Sequence, residues 1–138
     1  MKKRKQRKTI MVVDDESDVT FAVKYGLEDL NPKLNVIEAN SGRRCINLLR
    51  NGINPDLILL DIMMPRVCGW KTFDKIKENS SWDKIPIVFL TCRNDEYTIN
   101  RGNKLGEGYI TKPFEIDFLN EKITKILKQK RGDGSIER

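Results

Sequence analysis

The chain has 138 residues, the size of one domain: enough to bury a core, too few for a second full-sized one. Its composition, 38% hydrophobic and 33% charged, is that of an ordinary globular protein, and no apolar run approaches the ~20 residues that would span a bilayer. Three cysteines (Cys45, Cys68 and Cys92) without CxxC spacing, and no histidine at all, argue against structural zinc and His-based catalysis.

The net charge of +6 suggests nucleic acid until it is located. Lys2, Lys3, Arg4, Lys5, Arg7 and Lys8 carry all of it; without those six, twenty basic residues face twenty acidic ones. Residues 1–8 therefore read as a basic flexible arm, solvated unless an anionic partner meets it. The apolar run that follows, Ile10 to Val13, stops at Asp14, too short for the core of a signal peptide, so the expected location is cytoplasmic.

In chain order, short apolar runs alternate with longer amphipathic stretches, the signature of an α/β fold with a parallel sheet between two helical layers. Strands are expected at Thr9 to Val13, Leu34 to Glu38, Asp56 to Leu60, Ile87 to Leu90 and Gly108 to Thr111. Runs such as LILL lack polar alternation, as strands buried on both faces do. Between the strands, Val19, Ala22, Val23, Leu27 and Leu30 recur at helical spacing, then Cys45, Leu48 and Leu49, then Trp70, Phe73 and Ile76. The stretch from Asp95 to Leu105 is poor in apolar residues, so its helix should be the least firmly packed. Ile116, Leu119, Ile123, Ile126 and Leu127 define a last helix, with lysines on its other face. The globular domain is expected over residues 9–130 and a frayed tail over 131–138.

The polar residues of interest share one kind of place. Asp14 and Asp15 follow the first strand, Asp61 the third, Thr91 the fourth and Lys112 the fifth. In a doubly wound sheet of order 2-1-3-4-5, strands one and three adjoin at the switch point where ligands bind, and the three carboxylates would converge there. Like charges so close raise each other's pKa, and a divalent cation resolves the conflict. Mg²⁺, a hard ion that takes oxygen ligands and shares sites with phosphate, suits it. Three carboxylates, one Mg²⁺ and the Lys112 ammonium sum to zero formal charge. Asp61, between DLILL and IMMP, sits at a rigid strand end, and a carboxylate there can act as a nucleophile toward phosphorus. Thr91 and Lys112 would then bind the phosphoryl oxygens.

The strings VVDDE, DLILLDIMMP, PIVFLT and YITKPF, in this order and spacing, resemble the receiver domain of two-component response regulators, over residues 9 to 128. The resemblance implies a single-domain, chemotaxis-regulator-like protein with a flavodoxin-like (βα)5 fold. Asp61 would be the phosphoacceptor, and Asp14, Asp15, Asp61 and the Met63 backbone carbonyl would bind Mg²⁺ or Mn²⁺. Thr91 and Tyr109 would form the switch, and Lys112 would precede a cis proline, Pro113. A histidine kinase or phosphotransfer protein would donate the phosphoryl group, and a downstream protein would bind the face made by the fourth helix, fifth strand and fifth helix. Membrane spans and nucleic-acid contacts are not expected. The protein would be no enzyme beyond accepting a phosphoryl group and slowly losing it. Cys92 follows Thr91 where the family usually has a smaller residue, LGEG precedes Tyr109 where the family often has GAD-like residues, and Met63 and Arg93 hold positions that in the family tune phosphoryl lifetime.

Taken singly, these residues have plainer roles. Asp14, Asp15 or Ser17 can cap the first helix, Asp61 can be a turn residue, Thr91 an N-cap, Lys112 a surface lysine and Tyr109 an ordinary sheet residue. Gly69 reads as the end of a loop, and Cys45, Trp70 and Trp82 as packing residues. It is their joint placement on one sheet edge that points to phosphoryl chemistry. Two other functions fit less well. A turnover phosphatase or transferase would need a second acid beside Asp61, which DIMMP lacks; a nucleic-acid module would need a groove-reading helix or stacking aromatics. A self-contained transcription factor is not expected, since this chain leaves no room after Lys130 for a DNA-binding output domain; a piece of a longer regulator is the alternative.

Overall fold

In the computed structural model, which describes residues 7–92 and 95–135 and side chains as far as residue 129, five strands and five helices alternate. The strands are β1 (Lys8–Val13), β2 (Leu34–Ala39), β3 (Leu57–Leu60), β4 (Ile87–Thr91) and β5 (Gly108–Thr111), all parallel and in the order β2-β1-β3-β4-β5. The helices are α1 (Ser17–Leu30), α2 (Gly42–Arg50), α3 (Gly69–Lys77), α4 (Glu96–Leu105) and α5 (Ile116–Ser135). This is the expected α/β architecture, and the strand bounds fall within a residue of those read from the apolar runs.

Because every inner strand alternates between two covered faces, the core is two clusters divided by the sheet. Met11, Val13, Ile58, Leu60, Ile87 and Phe89 face α2 and α3 through Cys45, Leu49, Phe73 and Ile76. Ile10, Val12, Leu57, Leu59, Val88 and Leu90 face α1 and α5 through Val23, Leu27, Leu119 and Ile123. Burial of each such aliphatic side chain contributes roughly 1.5–3 kcal/mol.

Local chemistry sets the ends. Ser41 caps α2 by accepting the Arg44 N–H at 3.0 Å, and Asp95 caps α4 by accepting the Thr98 N–H at 3.0 Å. The free edge of β2 is covered from α1: Glu28 accepts the Val36 N–H at 2.8 Å, Lys24 donates to the Val36 carbonyl at 2.8 Å, and the two pair at 3.1 Å. A bare strand edge invites pairing with another chain, and this ion pair occupies it.

Several expectations need correction. Ala22 and Leu30 are exposed, because the buried stripe of α1 runs through Thr20, Val23 and Leu27 instead. No aspartate or serine side chain caps α1. Its N-cap is Glu16, which makes no side-chain cap, while Asp14 accepts the Glu16 N–H at 2.9 Å. Asp56 lies before β3 and accepts the Thr9 N–H at 2.8 Å. The helix α5 continues to Ser135. Residues 1–6 of the basic arm, Arg93, and 136–138 lie outside the described residues; Arg7 is exposed and Lys8 begins β1. As expected, α4 is thinly packed, with only Thr98 and Gly102 buried. Among the described residues no helix is long and apolar enough to cross a membrane.

Candidate functional site

The carboxyl ends of β1 and β3 adjoin, with Val13 opposite Leu60, so the residues that follow them emerge side by side. The Asp61 N–H donates to the Val13 carbonyl at 3.0 Å, which ties the start of one loop to the end of the other strand. As a result Asp14, Asp15 and Asp61 each bring a carboxylate oxygen within 4.8 Å of the others. Asp14 is 0% and Asp61 3% exposed, whereas Asp15 lies open at the mouth.

Lys112 reaches this cluster from the end of β5. Its ammonium lies 2.6 Å from Asp14 Oδ2 and 3.6 Å from Asp61 Oδ2. The Lys112–Pro113 peptide bond is cis, as the resemblance implies. The Asp61 carboxylate also accepts the Met63 N–H on Oδ1 at 3.1 Å and a hydrogen bond from the Thr91 side chain. Thr91, at the end of β4, is fully buried.

The charges of this cluster do not balance. Burial, and after it the Asp14 charge, hold the Asp61 carboxyl above the ordinary carboxylate range; Lys112, Thr91 and the Met63 N–H pull it back only in part. Burial works against the Lys112 ammonium, but its bond to Asp14 and the fields of Asp61 and Asp14 outweigh it and raise its pKa. Three carboxylates against one ammonium leave a negative pocket lined with oxygen donors. That donor set fits a hard divalent cation and offers nothing to a soft one.

Asp14, Asp15, Asp61, Thr91 and Lys112 thus come together. Met63 joins through its backbone N–H, while its side chain is 48% exposed. Tyr109 stands apart from the carboxylates, half-buried on β5 opposite Phe89, two register steps from the Thr91–Thr111 pair. Cys92 and Cys68 are exposed and Cys45 is buried. Trp70 and Trp82 are half-buried and pack on the core, in keeping with their reading as packing residues.

Two residues of the site escape a reading of the sequence. Glu16 places Oε1 3.4 Å from the Lys112 ammonium, and its place as the third acid of VVDDE is the available signal. Gly69 looks like loop punctuation, but its backbone lies directly on the Asp61 loop: a Cβ there would stand 2.6 Å from Ile62 Cα and overlap the Asp61 carbonyl oxygen. The sequence carries no local sign of that contact.

The family model described as response regulator receiver domain matches residues 10–124. Among solved structures, a CheY-like response regulator receiver domain protein from Methanospirillum hungatei is 38% identical with a TM-score of 0.76, covering 91% of this chain and 98% of that one. The transcriptional regulatory protein CpxR of Escherichia coli is 35% identical over 121 residues, 87% of this chain and 49% of CpxR. A histidine kinase of Formosa agariphila, P4, is 31% identical over 127 residues, 91% of this chain but 9% of the kinase. The chain therefore spans about half the length of the curated regulator and a small part of the kinase.

Proposed function

The chain belongs to the response regulator receiver domain family, which accepts a phosphoryl group on aspartate from histidine kinases in two-component signalling, and we propose that its acceptor is Asp61. The observation that carries this is a buried carboxylate at the end of β3, set between an ammonium at 3.6 Å and two further carboxylates. An Asp61 oxygen attacks phosphorus and forms the new O–P bond. The bond from phosphorus to the donor nitrogen breaks, and its electron pair stays with the donor imidazole. The Met63 N–H holds Oδ1 and leaves Oδ2 toward Lys112, whose ammonium is placed to take a phosphoryl oxygen as negative charge develops. Thr91 is placed to do the same from β4.

Asp14, Asp15 and Asp61, with the Met63 carbonyl, would hold Mg²⁺ or Mn²⁺. The ion supplies neutralisation of the phosphoryl charge when bound. The chain acts as an acceptor that signals by shape and not as a turnover enzyme. Its donor is a histidine kinase or a phosphotransfer protein, and its downstream partner binds the α4, β5 and α5 face, where Tyr97, Leu105 and Phe118 are exposed. The residue pair that changes with phosphorylation is Thr91 and Tyr109. The setting is cytoplasmic, where such kinases deliver phosphoryl groups.

The test is intact mass after incubation with Mg²⁺ and acetyl phosphate, for the wild type and for Asp61→Asn. The wild type should gain one phosphoryl group only with the metal, and the variant none. A wild type that gains nothing, or an Asp61→Asn protein that gains as much, overturns the assignment.

A further inference from the structure

Gly69 and Trp70 open α3, and they face different things. The Gly69 backbone presses on the Asp61 carbonyl and on Ile62 Cα, and its N–H donates to the Ile62 carbonyl at 2.8 Å. The next residue, Trp70, packs its ring edge-on against Phe89 of β4, with centroids 4.9 Å apart. On the indole lies the guanidinium of Arg101, 4.3 Å from the ring centroid. Arg101 belongs to α4, and its neighbour Gly102 lies against Tyr109: a Cβ there would stand 3.0 Å from Tyr109 Cε2. One chain of contacts thus runs from the Asp61 loop through Trp70 and Arg101 to α4 and Tyr109.

We infer that the Trp70–Arg101 stack is a latch that holds α4 against the body of the unphosphorylated protein and gives way when Asp61 carries a phosphoryl group. This rests on the reading of Asp61 as phosphoacceptor. Phosphorylation turns a carboxylate that is 3% exposed into an acyl phosphate, adding three oxygens and at most one net negative charge. The Asp61 loop is backed by Gly69 with no space between them, so the loop takes up the added bulk by moving the start of α3. Phe89 cannot yield, being fully buried in the middle of the sheet. Of the elements touching the indole, α4 is the compliant one, since only Thr98 and Gly102 of it are buried. The displacement of Trp70 is therefore released as separation from Arg101, and α4 is freed to shift over Tyr109.

The latch favours the unphosphorylated arrangement by what an exposed-site cation–π contact is worth, a factor of about three. With Trp82→Phe as the background, Trp70 is the sole indole and reports the stack by its emission. Beryllofluoride with Mg²⁺ serves as the phosphoryl mimic, and its half-saturation is read by fluorine NMR in the background protein, in Arg101→Met and in Arg101→Lys. The emission of Trp70 should change on binding in the background protein. Arg101→Met should show the altered emission before any ligand is added and bind the mimic about threefold more tightly. Arg101→Lys keeps the cation and should restore most of the original half-saturation. If Arg101→Met binds with unchanged half-saturation, or if Trp70 emission ignores a mimic that binds, the latch is wrong and the phosphoacceptor reading stands. If neither the mimic nor acetyl phosphate modifies the wild type, the phosphoacceptor reading and the latch fall together.

Discussion

Replacing Asp61 with Asn should make the metal-free protein more stable at neutral pH, although it removes the proposed phosphoacceptor. The exchange keeps the shape of the side chain and deletes its charge. An Asp61 oxygen lies within 4.8 Å of one from Asp14 and one from Asp15, and its Oδ2 is 3.6 Å from the Lys112 ammonium. At an effective dielectric of about 20, repulsion at the first distance is about 3.5 kcal/mol per pair and attraction at the second about 4.6 kcal/mol. Asp15 is open to water and counts for much less than its pair value. The Coulomb contributions of Asp14 and Lys112 then leave about 1 kcal/mol of net attraction, which the weaker Asp15 repulsion offsets in part, and the larger quantity is the cost of burying the Asp61 charge, which the asparagine avoids. A gain of about 2 kcal/mol results, the order of one unsatisfied buried polar group. Its pH dependence has a definite sign. The folded-state pKa of Asp61 is raised, so the folded chain binds the proton more tightly than the unfolded one. The cost is therefore in full above the folded pKa and is relieved as pH falls toward the unfolded value near ~4. Urea titrations of both proteins at about pH 8 and about pH 4 should show the advantage of the variant at the higher value and its loss at the lower. Mg²⁺ should narrow the gap at pH 8 by stabilising the wild type more. A variant less stable than the wild type at pH 8 without metal, or an advantage that ignores pH, would refute the reasoning.

Three further outcomes are expected. Gly69→Ala drives a methyl into the Asp61 carbonyl and Ile62 Cα, both backbone; stability should fall by about 2 kcal/mol in urea and acetyl phosphate should label the protein more slowly. Glu28→Ala uncovers the Val36 edge of β2 at a cost of about 1 kcal/mol. Burial alone would raise the Glu28 pKa, but the Val36 N–H and Lys24 outweigh it and lower it, so its contribution is present above the unfolded value and is lost as pH falls through the folded one. The difference between Glu28→Ala and wild type should shrink accordingly in acid titrations followed by circular dichroism. Burial pushes the Cys45 thiol up to about 12, so iodoacetamide near neutral pH should modify Cys68 and Cys92 and leave Cys45 untouched until urea is added, as read by peptide mass.

How much of the fold and site is legible in the sequence depends on which signals are local. A strand buried on both faces must be apolar throughout, so LILL and IVFL announce β3 and β4 directly. The site residues are readable because each comes just after such a run, and parallel strands deliver their carboxyl-terminal loops to one edge. The stripe of α1 is less legible, since Ala22 and Leu30 are apolar without being buried, while Thr20 is buried without being apolar. A threonine in that position returns its hydroxyl to the Ser17 carbonyl at 3.1 Å, a bond that hydropathy does not register. The Gly69 contact and the Trp70–Arg101 stack are not readable at all. Both depend on how α3 sits on the loop of β3 and on α4, and that is decided by packing between segments far apart in the chain.

The same geometry explains why the signal should leave by α4. The buried Asp61 charge costs the folded state about 2 kcal/mol, about as much as one buried leucine returns, and the two core clusters absorb this without difficulty. The rigidity that offsets the cost also denies the site any slack: β1, β3 and β4 are buried through their last residues, and Gly69 closes the loop of Asp61 from behind. On the latch proposal, the bulk added at Asp61 is passed on through the loop that Gly69 backs. It passes to the first neighbour with few buried contacts, and among the helices that border the site this is α4, which has two buried residues where α2 and α3 have four each. Weak packing of α4 is thus the condition for a switch, and filling its interface with larger apolar residues should stabilise the fold while blunting its response to phosphorylation.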